Sequence, residues 1–382
     1  MPEQTILVLG CGMAGVAAAR ELRRLLPHQR VVVVDRAARA SYPPSHAALA
    51  VGEVRARSLL RSRARLARRG IEFINAEVHH IDLPKKHVRA EGRELRYDYL
   101  VIALGSESAF ETIPGLAEAA QGFYSFDGAE RLGASLRYFA GGRVLITVPA
   151  GPIKWAPAPY EMAMLLEHHF HGRKMRQKVE ISICAPDPAP LSELGDEASE
   201  MIAGQLAHKG IEFSAASRLA SVDAARHVAH FDDGSERAFE LLISIPPQVA
   251  GRIVVEAALV DESGRVRVDP VTLESEADSV FAIGDIAGLR APDGTLVSPS
   301  AELARRMASG AARQIATRIS GRAPSGPPDG RARWFVEVGA GAATMLSGDL
   351  IREPRRVRAS QPSIVWHWAK TATEKFWLYR VW

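Results

Sequence analysis

The sequence predicts an α/β protein made of two Rossmann-like units, with a small C-terminal region. Three observations carry that prediction. An apolar run at 5–9 opens directly onto a glycine fingerprint. A second run at 142–148 repeats the strand pattern without the fingerprint. A third at 280–283 ends in Gly284-Asp285, ahead of an alanine-rich helical stretch. The first unit is expected over 1–114, with the second beginning at 115.

The fingerprint is Gly10-Cys11-Gly12-Met13-Ala14-Gly15, a GxGxxG followed by an alanine-rich helix, a strand at 31–34 and Asp35. Each part has a physical task. Gly10 permits the tight turn, Gly12 lets the backbone approach a pyrophosphate, and Gly15 lets the helix pack close to the sheet. The helix N-terminus offers free N–H groups to phosphate. Asp35 lies 20 residues beyond Gly15, where a carboxylate can take the two hydroxyls of an adenosine ribose. The unit therefore reads as a dinucleotide site, with FAD and NAD(P) both open.

Composition bounds the rest. The 382 residues are 47% hydrophobic and 24% charged, enough core for two domains. A net charge of +4 does not imply nucleic acid as a partner. No stretch reaches 18 uncharged apolar residues, so none reads as a membrane span. Cys11 and Cys184 are the only cysteines, and both read as small buried residues. There is no CxxC and no metal-ligand spacing, so no metal is expected. The first strand begins almost at Met1 with no signal-peptide pattern, which reads as a cytoplasmic protein.

After Asp35, Tyr42-Pro43-Pro44-Ser45-His46 predicts a fixed loop lining a ligand. Residues 53–69 carry seven arginines and read as one exposed helix with Leu59, Leu60 and Leu66 inward. Its basic face is either simply solvated or a contact for anionic lipid or a partner. A strand at 97–104 ends at Gly105. The strand at 142–148 meets Pro149, Pro152, Pro157 and Pro159 in a rigid loop, then a helix over 162–171. Further strands are expected at 179–184, 211–213, 227–231 and 238–244, and a helix over 299–315. A strand at 334–339 should pair with 342–346. Four of the six tryptophans fall in the last 17 residues. That clustering makes 361–382 an amphipathic segment, packed on the protein or resting in a membrane interface.

With these pieces in place the chain resembles the sulfide:quinone oxidoreductases and the flavoprotein subunit of flavocytochrome c sulfide dehydrogenase. The resemblance rests on Gly10, Gly12, Gly15 and Asp35, on 97–105, on 151–161, on Gly284-Asp285 and on 334–339. It implies a tandem Rossmann-like flavoprotein with an FAD domain over 1–114 and 261–325, interrupted by a second Rossmann-like domain over 115–260 and followed by a C-terminal region over 326–382, and non-covalent FAD as the cofactor. The implied contacts are Gly10, Gly12, Met13, Ala14, Gly15, Asp35, Arg36, Tyr42, His46, Val78, Ala103, Leu104, Gly105, Gly284, Asp285 and Ala301. The implied acceptor is a quinone or a c-type haem partner, with peripheral contact to the cytoplasmic membrane through 361–382. A homo-oligomer stays open.

The departure from the family is specific. Its rigid loop carries a redox cysteine where this chain has Trp155, and its second redox cysteine matches Trp334. A disulfide relay needs a thiolate and a partner sulfur, and tryptophan supplies neither. Both indoles are expected to fill the cavity beside the flavin. Glu161 and Glu337 become candidates for proton handling, against a purely structural role. Lys154 is a candidate positive charge near reduced flavin, against a solvent-facing lysine. The expected activity is FAD-dependent electron transfer from an unidentified donor without the cysteine relay. The alternatives are a flavin-binding structural, assembly or sensor protein, and an NAD(P)H:acceptor oxidoreductase, which the missing second fingerprint disfavours.

Overall fold

The computed structural model describes residues 3–298, 300–321, 326–351 and 356–382. Thr5–Leu9 is the middle strand of a five-stranded parallel sheet. Arg30–Asp35 and then Glu72–Asn75 lie on one side of it, and Tyr99–Ile102 and then Val280–Ala282 on the other. The inner strands read as unbroken aliphatic runs because both faces are covered. Val280–Ala282 rejoins this sheet only after the chain has built a second one. That second sheet is also parallel, in the order Ala120–Gln121, Leu241–Ser244, Gly142–Thr147, Val179–Cys184, Glu212–Ser214.

Two antiparallel meanders act as crossovers, one over Val78–Asp82, His87–Ala90 and Arg93–Arg96, the other over Leu219–Asp223, Val228–Phe231 and Glu236–Ala238. The strand expected at 238–244 is therefore two pieces, Glu236–Ala238 in the meander and Leu241–Ser244 in the sheet. Helix Met13–Leu25 covers the first sheet and packs along the long helix Ala301–Ser320. Ser300 caps the latter, its Oγ accepting from Leu303 N at 3.1 Å. Pro299, the expected start of that helix, lies outside the described residues.

The arginine-rich segment is not one helix. It breaks into a single turn Ala56–Leu59, a bridge at Arg61–Ser62 paired with Arg39–Ala40, and a 3₁₀ stretch Arg63–Arg69. Leu59 and Leu66 are buried as expected, but Leu60 is only half-buried and Arg63 is buried instead. On one continuous helix Arg63, four residues after Leu59 and three before Leu66, would share their inward face; the broken path brings it to Asp35, which answers its charge.

Strands Arg331–Gly339, Ala342–Asp349 and Val357–Ala359 form a C-terminal antiparallel sheet, followed by helix Ile364–Phe376 and a wider turn Trp377–Val381. The helix is inverted relative to the usual pattern. Lys370 and Glu374 are buried, while Ile364, Val365, Trp368 and Phe376 are 51–63% exposed.

Gly15 shows how closely the first helix sits on the turn. A Cβ there would overlap the carbonyl oxygen of Gly10, a backbone atom that cannot swing away. Gly15→Ala is expected to cost about 1–3 kcal/mol, read as a lower urea midpoint at unchanged slope.

Candidate active site

The carboxyl ends of the first sheet open into a groove of about 580 Å³. Gly10, Gly12, Met13 and Ala14 form its floor, and Asp35, Arg36 and Val78 stand at one end. Ala103, Leu104, Gly105, Gly284, Asp285 and Ala301 line the middle. Lys154, Trp155 and Glu161 close the far end from the second unit.

The three fingerprint glycines differ in what surrounds them. Gly10 has φ +91° and a Cβ on it would overlap Ala103 O, so it is fixed by turn geometry. Gly12 has nothing within 4 Å of its absent Cβ and faces the groove. Gly15 does not line the groove and serves packing alone.

Asp35 is more occupied than the sequence suggested. Its Oδ2 accepts from Cys11 N at 2.6 Å and its Oδ1 from Ala37 N at 2.8 Å. Arg63 Nη1 forms an ion pair with the same carboxylate, both side chains nearly buried. The Nε of Arg63 is buried without a partner in the groove wall. Sequence reasoning missed Arg63, because it stood among seven arginines on a supposed solvent face.

Tyr42 and His46, expected as contacts, do not line the groove; their neighbours Pro43, Pro44 and Ala47 do. Tyr42 packs on Trp377 with ring centres 5.4 Å apart. His46 is a buried strut, bonded to Ser41 Oγ at 2.9 Å and Tyr124 O at 3.2 Å. Trp334 is fully buried in the core and is not a groove residue. Glu337 is also buried outside the groove.

Trp155 does line the groove. Its backbone is left-handed at φ +57°, a strained setting for a bulky residue. Its indole N–H donates to Glu161 Oε2 at 3.1 Å. Lys154 donates to Ser106 O at 3.2 Å and lies 5.4 Å above the Tyr124 ring, so it is not solvent-facing. Burial pushes its ammonium below the usual lysine range.

Behind Trp155 lies a buried ionic chain. Glu161 Oε1 pairs with Lys370 Nζ and also accepts from Glu337 N at 2.9 Å. Lys370 Nζ is 3.9 Å from Glu337 Oε1, and His367 Nδ1 is 3.1 Å from both Glu337 oxygens. Burial alone would lower the Lys370 ammonium, but Glu161 and Glu337 override it and hold it above its usual value. Burial pushes the Glu161 carboxyl up, and Lys370 opposes it. Glu161 meets the groove, while the His367 side chain is 34% exposed. Lys370 and His367 were missed too. The signal was present, as His367, Lys370 and Glu374 recur at helical spacing within an aromatic tail.

Cys11 and Cys184 are both free and buried. Burial raises their thiols to about 12 and about 11, so neither supplies a thiolate at neutral pH. Cys184 ends a strand of the second sheet, while Cys11 lies in the glycine turn of the first.

A family model described as pyridine nucleotide-disulphide oxidoreductase matches residues 4–311. The chain belongs to that family. It is 26% identical over 302 residues to the mitochondrial sulfide:quinone oxidoreductase of Mus musculus, covering 74% of this chain and 66% of the relative, just under two-thirds of its length. It is 24% identical over 394 residues to the sulfide-quinone reductase of Aquifex aeolicus, covering 98% and 90%. The solved structure of the Aquifex aeolicus sulfide:quinone oxidoreductase superposes with TM-score 0.90 at 22% identity, covering 99% of this chain and 91% of that one. The tandem fold is thus that of an FAD-dependent oxidoreductase related to the sulfide:quinone enzymes, without their redox cysteine pair.

Two predictions follow from the buried charges. Lys370→Met leaves Glu161 and Glu337 without a buried counter-ion, and thermal unfolding should show a loss of about 3–5 kcal/mol. His46 titrates at about 4 because burial lowers it, against 6.5 when exposed. The unfolded state then binds the extra proton, so stability falls as pH drops from 6.5 toward 4, by roughly 3 kcal/mol. His46→Gln should flatten that part of the plot of urea midpoint against pH.

Proposed function

We propose that the chain binds FAD non-covalently in the groove and passes electrons from a small donor to a membrane quinone, with no disulfide step. The observation that carries this reading is the groove itself. Its wall holds the unpartnered Nε of Arg63, and its floor leaves open space where Gly12 lacks a Cβ. When bound, FAD supplies the two-electron chemistry. Gly10, Gly12, Met13 and Ala14, at the start of helix Met13–Leu25, would hold its pyrophosphate. Asp35, Arg36, Arg63 and Val78 would hold the adenosine end. Ala103, Leu104, Gly105, Gly284, Asp285 and Ala301 would hold the remainder. Lys154 would place a cation at the Trp155 end.

Glu161 and Glu337 would handle protons. Two carboxylates share one ammonium, so the cluster carries an excess negative charge that one proton neutralises. The chain Glu161–Lys370–Glu337–His367 runs from the groove to the surface of the tail helix, a path for protons taken up with electrons. The exposed apolar face of that helix supports a lipid-borne quinone over a haem protein as acceptor. No helix of the described residues is long and apolar enough to cross a membrane, so the contact would be peripheral.

The test is an anaerobic titration of the purified protein with sulfide, NADH and a reduced quinol, followed by flavin absorbance. Quinol should equilibrate with the flavin, while sulfide should give negligible rapid reduction in stopped-flow. Fast bleaching by sulfide would defeat the reading of Trp155, and fast bleaching by NADH would favour a nicotinamide donor. Response to none of them would leave a flavin-holding protein. Gly12→Ala separates cofactor from fold. It should keep the urea midpoint of the apo-protein but weaken FAD binding by at least about tenfold, because the added methyl occupies ligand space.

A further inference from the structure

We propose that the exposed arginines of residues 55–69 bind the phosphates of an anionic phospholipid bilayer, giving the tail's membrane contact a preference for lipid charge. This rests on the peripheral-membrane reading above.

The segment from 53 to 69 holds seven arginines and a single acid, Glu53. Three arginines are committed to the protein. Arg63 pairs with Asp35. Arg61 donates to the carbonyls of Leu378, Ser58 and Leu60 and lies 4.4 Å over the Tyr379 ring. Arg69 is exposed and donates to the Arg380 and Trp382 carbonyls at 2.7 and 3.1 Å. Arg55, Arg57, Arg65 and Arg68 are exposed and have no ion pair with an acid among the described residues. A solvated helix face would ordinarily intersperse acids with such a run.

The placement of the segment matters more than its charge. Arg61 and Arg69 clip it to the end of the tail, and Arg61 lies over the ring of Tyr379, which is 63% exposed. Val365, Trp368, Ala372 and Phe376 follow one side of the helix at three- and four-residue steps. The segment that carries the four exposed arginines is thus held at the C-terminal end of this stripe. A guanidinium fork matches phosphate oxygens in geometry as well as charge. A bilayer interface is the partner that offers both an apolar layer and a phosphate layer side by side.

Vesicle co-sedimentation tests this on the full-length protein with its flavin. The vesicles are phosphatidylcholine alone or phosphatidylcholine with phosphatidylglycerol. One variant carries Arg55→Gln, Arg57→Gln, Arg65→Gln and Arg68→Gln; another carries Trp368→Ala and Phe376→Ala. All six positions are exposed, and circular dichroism with flavin content confirms folding. An arginine near an anionic surface is worth about fivefold in partitioning. The wild type should bind phosphatidylglycerol vesicles at least about tenfold more tightly than neutral ones, and high salt should erase the difference. The arginine variant should bind both vesicles as the wild type binds the neutral one. The aromatic variant should lose binding to both.

An arginine variant that keeps the wild-type preference overturns the proposal. Wild-type binding that is equal on both vesicles also overturns it, while leaving the membrane reading intact. No binding to either vesicle defeats both.

Discussion

Lys370 cannot reach water, and its charge fixes how three parts of the chain meet. Its ammonium is answered by Glu161 from helix Ala158–Gly172 of the second unit and by Glu337 from strand Arg331–Gly339 of the C-terminal sheet. Burying one ammonium and two carboxylates is costly unless they stay together. The tail helix must therefore dock with its polar side inward. Once that side is committed, Ile364, Val365, Trp368 and Phe376 have nowhere to face but out. The exposed apolar stripe and the buried ionic chain are two consequences of one constraint. Glu374 extends it, accepting from Ser45 Oγ at 2.6 Å and tying the helix to the proline loop of the first unit.

The two tryptophans that stand in place of the family's cysteines are not equivalent. Trp155 remains a groove residue, and through its bond to Glu161 it becomes the ionic chain's neighbour on the groove side. Trp334 is swallowed by the core, its indole N–H without a partner. A thiol pair must be in contact to exchange, whereas two indoles have no such requirement. Replacement of the relay thus did not preserve a pair. It left one aromatic wall and one packing residue.

Much of the fold was legible because it rests on local rules. The strands at 5–9, 142–147 and 179–184 are aliphatic runs bounded by turns, and the GxGxxG tied the first of them to its helix. The return strand before Gly284-Asp285 was legible for the same reason. What failed depended on partners distant in sequence. Arg63 is separated from Asp35 by 28 residues, and Lys370 from Glu161 by 209. No local pattern announces such a pairing. Tyr42 and His46 failed differently: the loop was placed correctly beside the groove, but its prolines turn the two aromatic side chains inward to Trp377 and Tyr124. The arginine segment misled because the spacing that turns Leu59 and Leu66 inward turns Arg63 inward with them, and only the distant Asp35 makes a buried arginine tolerable there.

The groove and the region that varies in this chain are built from different material. The floor comes from the ends of Thr5–Leu9 and Tyr99–Ile102 and from the turn before Met13–Leu25, all held by the first sheet's own core. The far end comes from the proline loop and from Glu161 on the helix after it, whose contacts run to the C-terminal region. A substitution at Trp155 can change what meets the reactive end without loosening Gly10, Gly12 or Asp35. The glycine-turn geometry therefore does not depend on the positions where the family's cysteine pair is missing. The fingerprint turn and the missing cysteine pair are physically independent, because among the described residues no hydrogen bond of Trp155 or Glu161 reaches the fingerprint.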